Sequence, residues 1–259
     1  MNARAVTSLN NPTVKAVRAL HMRKARRETG LFLVEGLKAV AEAVALGRAP
    51  KILLHAEPAA AHPLLRQAAA VAGETLVVSE GVLAKISRRD NPQTVLGVFE
   101  QAFTALEAID PASARCFVAL EAVRDPGNLG TILRTADAAG CGAVILIGEC
   151  CDPYSVEAVR ATMGSIFAVP LVAASEDAFL AWRRAWPGAV VGTLLTAATD
   201  FRAAPYRDPT LILMGNEQAG LTPRMAEACD VSVKIPMRGR ADSLNLAVAT
   251  GVMIYAATA

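Results

Sequence analysis

Apolar and polar positions follow two rhythms along this chain, and each change of rhythm marks an element. Short continuous apolar runs bounded by Gly, Pro or charge predict strands buried on both faces. Longer stretches with apolar residues three and four apart predict helices. From Leu31 the order is LFLVEG (31–36), a helix over 37–46 closed by Gly47, KILLHA (51–56), a helix over 62–71, and TLVVSE (75–80). A short helix over 81–86 and a last strand, TVLGVFE (94–100), complete a small α/β domain. Upstream, Asn11-Pro12 marks a helix start. Residues 101–114 have no β rhythm, contain Asp110-Pro111 and read as a linker, which sets the domains at 1–100 and 115–259.

The second domain repeats the alternation. Strands are predicted at CFVALEAV (116–123), AVILIG (143–148), FAVPLV (167–172), AVVGTLL (189–195), LILM (211–214) and VSVKIPM (231–237). Helices are predicted over 131–139, 156–163 and 176–186, and Thr222-Pro223 begins another. Strands alternating with helices throughout imply a parallel sheet. The last helix starts at Ser243 and is apolar on nearly every face. Such a helix must be buried, and a terminal one is most easily covered by a second subunit, so a homodimer is expected.

Composition narrows the class. At 53% hydrophobic and 19% charged, 259 residues suit compact α/β packing. No apolar run reaches the length of a membrane span and the N-terminus has no signal-peptide core, so no membrane association is expected. Five cysteines without a CxxC pair, and His55 and His62 without neighbouring ligands, argue against a metal and for a reducing cytoplasm. The net charge of +2 is unremarkable, but its distribution is not. Residues 1–30 carry Arg4, Lys15, Arg18, Arg23, Lys24, Arg26 and Arg27 against one acid, Glu28. That cluster, with Arg88 and Arg89 in a polar loop, is the candidate for contacting phosphates; the alternative is a solvated helix face.

Three polar clusters interrupt the apolar chain at strand ends. The first is Arg124-Asp125-Pro126-Gly127-Asn128-Leu129-Gly130, with Arg134 further along the helix. Its GxxG resembles a phosphate-binding turn or a nucleic-acid clamp, and alone is weak evidence for either. Arg134 lies among apolar residues, so if buried it needs a partner, Asp125 or Asp137. The second is Gly215-Asn216-Glu217-Gln218-Ala219-Gly220, a carboxylate where a buried strand ends, the edge at which parallel sheets bind ligands. The third joins Ile235-Pro236-Met237 to Ser243-Leu244-Asn245, with Ser243 a plausible N-cap.

Together, the clusters resemble the three motifs of the SpoU, or TrmH, family of RNA ribose 2′-O-methyltransferases in the SPOUT class. Asn128 and Arg134 in DPGNLGTILRTADAAG, LMGNEQAGL, and IPMRGRADSLNLAVA stand in the family's order and spacing. The stretches GLFLVEGLKAV and NPQTVLGVF resemble its small L30e-like RNA-binding domain. Gln218-Ala219 depart slightly from the second motif, which often has a smaller or glycine pair there.

The resemblance implies a parallel sheet with a C-terminal trefoil knot, which nothing in the strand pattern dictates. It implies S-adenosylmethionine as cofactor, held by Gly215, Ile235 and Leu244 with Thr193, Leu195 and Met237 nearby, and a homodimer whose interface flanks the pocket. It implies Arg134 as the catalytic residue, with Asn128, Glu217, Ser243 and Asn245 orienting Arg134 and the ribose. A guanidinium resists losing its proton, so Arg134 acts either as a phosphate-assisted base or by electrostatic stabilisation. The N-terminal domain favours 23S ribosomal RNA as substrate over tRNA. The rivals are a non-catalytic RNA-binding or ribosome-assembly protein on the same fold, and a nucleotide-dependent oxidoreductase. The latter lacks its glycine fingerprint here.

Overall fold

Asn11 caps the first helix through its side chain, which accepts from the amide of Val14, and Pro12 fills the first helical position. This computed structural model describes residues 5–259, so Arg4 lies outside the described residues. The chain clusters into two units, Met1–Gln101 with Tyr154–Phe167, and Ala102–Pro153 with Ala168–Ala259.

The first unit comprises α1 (Pro12–Ala19), α2 (Arg23–Thr29), β1 (Leu31–Glu35), α3 (Leu37–Ala45), β2 (Ile52–His55), α4 (Pro63–Val71), β3 (Glu74–Val77), α5 (Glu80–Ser87) and β4 (Val95–Glu100). Its sheet runs β1-β4-β2-β3. β4 enters between β1 and β2, antiparallel to both, and only β2 and β3 are parallel. The mixed directions carry no mark in the sequence, because apolar periodicity reports burial and not strand direction.

Residues 154–167, expected with the second domain, complete this core. The rings of Phe32, Tyr154, Phe99 and Phe167 stack with centroids 4.7 to 6.2 Å apart. Arg160 grips the Glu35 carboxylate in a fork, Nε to Oε2 at 2.8 Å and Nη2 to Oε1 at 2.6 Å, and also donates to the Ser87 carbonyl at 2.7 Å. The Glu35 side chain is 3% exposed, so this planar, doubly bonded match is what makes its burial tolerable.

The second unit carries β5 (Cys116–Glu121), α6 (Pro126–Ala138) and β6 (Val144–Ile147) before the helix Val156–Thr162, α7. After it come β7 (Leu171–Ala174), α8 (Glu176–Arg183), β8 (Val190–Thr193), β9 (Thr199–Asp200), β10 (Thr210–Met214), α9 (Pro223–Glu227), β11 (Val231–Lys234) and α10 (Leu246–Thr258). All its strands are parallel, in the order β7-β6-β5-β10-β8-β11-β9. β5, β6 and β10 are buried at every position, as their unbroken apolar runs require. The presumed linker belongs to this unit: Leu106 is buried in its core and Thr104 donates to the Leu171 carbonyl.

Two predicted strands are shortened beside prolines. The one begun at Phe167 starts only at Leu171, after Pro170, and the one ending at Met237 stops at Lys234, before Pro236. β9 had no signature in the sequence; its two residues add to the sheet edge beside β11.

Candidate active site

From β5 the chain passes to β6 on one side of the sheet; from β10 it passes to β11 on the other. The carboxyl ends of these adjacent strands form a switch point, where open parallel sheets bind ligands. All three polar clusters meet there.

Asp125 caps α6, its carboxylate accepting from the Asn128 amide at 2.6 Å, and Pro126 follows it into the first turn. Asn245 caps α10, accepting from the amides of Ala247 and Val248. Ser243, read as the cap from sequence, is not; its hydroxyl faces Asp242 at 3.4 Å. Both residue types cap helices well, and the helix simply begins later.

Glu217 fastens the middle motif to the first. Its carboxylate accepts from the amides of Arg124 (3.3 Å) and Asp125 (3.2 Å) and from the side chain of Asn128 (3.3 Å). Asn128 in turn accepts from Asn245 Nδ2 at 2.8 Å. Glu217, Asn128 and Asn245 thus form one chain of hydrogen bonds across three sequence-distant motifs. Partial burial pushes the Glu217 carboxyl up, but hydrogen bonds from its own amide, Asn128, Asp125 and Arg124 outweigh that and hold it below the ordinary range. It is an anionic anchor and a weak base.

Arg134 stands apart. It is exposed, and among the described residues it makes no hydrogen bond or ion pair, neither with Asp125 or Asp137 nor with Glu217. The expectation that the motif residues orient Arg134 is thus not met within one chain: six positions along a helix separate it from Asn128, on a different face.

A cavity of about 370 Å³ opens beside this network. Its walls include Thr193, Leu195, Gly215, Ile235, Met237 and Leu244, the six positions considered for cofactor contact, and also Glu217 and Ser243. The volume lies in the range of small-molecule sites. Gly215 is required for another reason than ligand approach. A Cβ there would strike the Gly220 carbonyl carbon and the Leu221 nitrogen, so the loop Gly215–Gly220 can close on itself only over a glycine.

Asn216 stands in the second cluster, where sequence alone assigns it no separate role. Its side chain donates to the Ala122 carbonyl at 2.8 Å and to Glu217 at 3.3 Å, and accepts from the amides of Gln218 and Ala219. The available signal was an Asn in a tight polar turn, where its side chain organises local backbone.

The candidate RNA-contacting cations lie in the first unit. Arg23, Lys24, Arg27, Arg88 and Arg89 are exposed. Arg26 is not: it is 4% exposed and donates to the carbonyls of Leu20 (2.7 Å) and His21 (3.0 Å), tying α2 to the end of α1. It is a structural residue, withdrawn from the basic face by its position on the helix. Among the described residues no His, Cys, Asp and Glu group is placed to hold a metal, and no helix is long and apolar enough to cross a membrane.

A closed-loop cleft at the switch point of a parallel sheet, in a chain that also carries a mixed-sheet unit, defines a two-part α/β protein with a cavity of small-molecule size. Comparison with known proteins narrows that class. The SpoU rRNA Methylase family profile matches residues 115–255, and the MRM3-like substrate binding domain profile matches 11–97; the chain belongs to the SpoU methylase family. It is 32% identical over 251 residues to the 23S rRNA (guanosine(2553)-2′-O)-methyltransferase RlmP of Bacillus subtilis, covering 96% of this chain and 97% of that protein. It resembles the AdoMet-bound rRNA methyltransferase of Sinorhizobium meliloti with a TM-score of 0.92 and 49% identity, over 98% of this chain and 97% of that one. The SpoU methyltransferase AviRb of Streptomyces viridochromogenes, solved in complex with AdoMet, is 30% identical at a TM-score of 0.85, over 96% of this chain and 97% of the other.

Proposed function

We propose that the protein transfers the methyl group of S-adenosylmethionine to a ribose 2′-OH of 23S ribosomal RNA. The observation that carries this reading is the junction of Glu217, Asn128 and Asn245 beside a cavity of cofactor size. The donor set fits the group: Thr193 and the Gly215–Gly220 backbone offer polar edges, and Leu195, Ile235, Met237 and Leu244 offer apolar walls. When bound, the cofactor supplies a methyl group already activated by its sulfonium. The protein's task is alignment of the ribose and stabilisation of the oxygen as its proton leaves. Glu217 stays ionised and fixes the Asn128 amide; Asn128 and Asn245 hold the first and third motifs in register. Among the described residues the Arg134 guanidinium has no partner, and its fixed fork of donors is suited to hold a substrate phosphate and the developing alkoxide.

In this reading the exposed cations Arg23, Lys24, Arg27, Arg88 and Arg89 follow the RNA backbone, and a ribosomal substrate implies a cytoplasmic enzyme. The threaded C-terminal knot belongs to the same reading. The test is transfer of labelled methyl from S-adenosylmethionine to unmodified 23S ribosomal RNA, followed by nucleoside digestion. Label on a ribose is expected; label confined to tRNA or to a base, or none, would overturn the reading. Neutralising Arg23, Lys24 and Arg27 should lower the salt dependence of RNA binding by roughly one unit of slope per lost phosphate contact.

The active unit is a homodimer. Val248 and Tyr255, on one face of α10, are 53% and 57% exposed, and α10 packs beside α6, which carries Arg134. A second copy over this face would cover the apolar residues and bring another molecule's surface to Arg134. Light scattering should give twice the chain mass, and Val248→Glu with Tyr255→Glu should halve it and abolish methyl transfer. A monomeric, active wild-type protein would exclude the dimer.

A further inference from the structure

We propose that Asn216 is a positioning residue for methyl transfer: its side-chain amide holds the exit of β5 in the shape that lets Glu217 fix Asn128. The inference rests on the proposed reaction and adds a residue that the motif resemblance gave no role.

The chain leaving β5 makes an abrupt turn at Ala122, which has φ of +50°, a left-handed conformation that an alanine adopts only under constraint. Both backbone groups of Ala122 are tied. Its N–H donates to the Ile147 carbonyl at the end of β6, at 3.0 Å. Its carbonyl accepts from Asn216 Nδ2 at 2.8 Å. Two and three residues later come the amides of Arg124 and Asp125 that Glu217 grasps, and then Asn128. The next tie is the Val123 carbonyl, which accepts from the Cys151 amide at 2.8 Å, so releasing the Ala122 carbonyl loosens the start of the stretch that the Glu217 carboxylate grasps without unfolding it.

The chemistry at position 216 requires an amide. The side-chain oxygen accepts from Gln218 and Ala219, which shapes the closed loop over Gly215. The nitrogen spends one hydrogen on Ala122 and directs the other at Glu217 Oε2. Aspartate preserves the shape and the acceptor, but puts an anionic oxygen against a carbonyl and a second carboxylate. Serine preserves an acceptor for the turn but is too short to reach Ala122.

Glu217 is held below the ordinary carboxylate range, so its anionic network persists above that range and is lost as pH falls through the lowered value. A neighbouring carboxylate at 216 raises the Glu217 pKa and so moves the acid limb of the activity profile to higher pH. Serine removes a donor without adding charge and should move it much less.

The experiment measures, for wild type, Asn216→Asp and Asn216→Ser, kcat on an unmodified 23S ribosomal RNA transcript across pH, the S-adenosylmethionine Kd by calorimetry, and the melting temperature. Both variants are expected to lose roughly 10–100-fold in kcat, as misplacement of a reacting group by about an ångström does. Asn216 also lines the cavity, but both variants keep the acceptor that shapes the Gly215–Gly220 loop, so the cofactor Kd should stay within about twofold in both, and only Asn216→Asp should shift the acid limb upward. Wild-type kcat in Asn216→Asp overturns the inference. So does a Kd that weakens in step with kcat, which would make Asn216 a direct cofactor contact. So does an unmoved acid limb, or failure of both variants to fold, either of which reduces Asn216 to a scaffold role. A wild-type protein that transfers no methyl to RNA instead overturns the proposed reaction.

Discussion

Replacing Arg134 with alanine is expected to lower methyl transfer by about 10²–10³-fold, the loss typical of removing one donor to a developing negative charge. The same variant should bind S-adenosylmethionine as wild type does and unfold at the same denaturant concentration. The structure explains this separation of effects. Arg134 is exposed, has no partner to strand among the described residues, and does not line the cavity. A surface side chain without contacts contributes little to folding, so a large kinetic loss would have to come from contact with substrate. Single-turnover rates, calorimetry and urea melts on one preparation make the comparison. Activity within a few-fold of wild type would remove Arg134 from the mechanism.

The second large effect concerns stability. Arg160→Met should destabilise the first unit by about 3 kcal/mol, the low end of the range for breaking a buried ion pair. The low end is chosen because the Arg160 side chain is 28% exposed whereas that of Glu35 is 3% exposed. The loss arises from the carboxylate left behind, since Arg89, with Nε 3.8 Å from Glu35 Oε2, offers only a loose substitute. Adding Glu35→Gln to Arg160→Met should therefore restore part of it. The first transition in a urea titration reads both. A loss below about 1 kcal/mol would class the pair with ordinary surface bridges and refute the assignment.

What was legible in the sequence was whatever depends on local pattern. LILM reads as a doubly buried strand because no polar residue interrupts it, and β10 is buried along its whole length. Asn11-Pro12 and Thr222-Pro223 announce helix starts because cap and first-turn chemistry are local. The three motif clusters were identifiable because polar residues at the ends of apolar strands are conspicuous. What depends on facing or on distant partners was not legible. Arg26 lies within a run of cations, and only the rotation of α2 turns it inward. Ser243 and Asn245 have equal capping chemistry, and the tie to Asn128 accompanies the choice of Asn245. The antiparallel entry of β4 leaves no trace in periodicity. Gly215 was assigned to the cofactor alone, and its second constraint, the loop's own backbone against which a Cβ would clash, depends on a close approach that no local pattern reports.

The aromatic and ionic contacts that residues 154–167 make within the first unit also bear on synthesis. A chain emerging from the ribosome releases its N-terminal domains first, and these usually fold as they appear. Here the first 101 residues lack Tyr154, Arg160 and Phe167, so Phe32 and Glu35 have to await partners made more than fifty residues later, after β5, α6 and β6. The first unit therefore begins before the second and is not finished until residue 167 has been made.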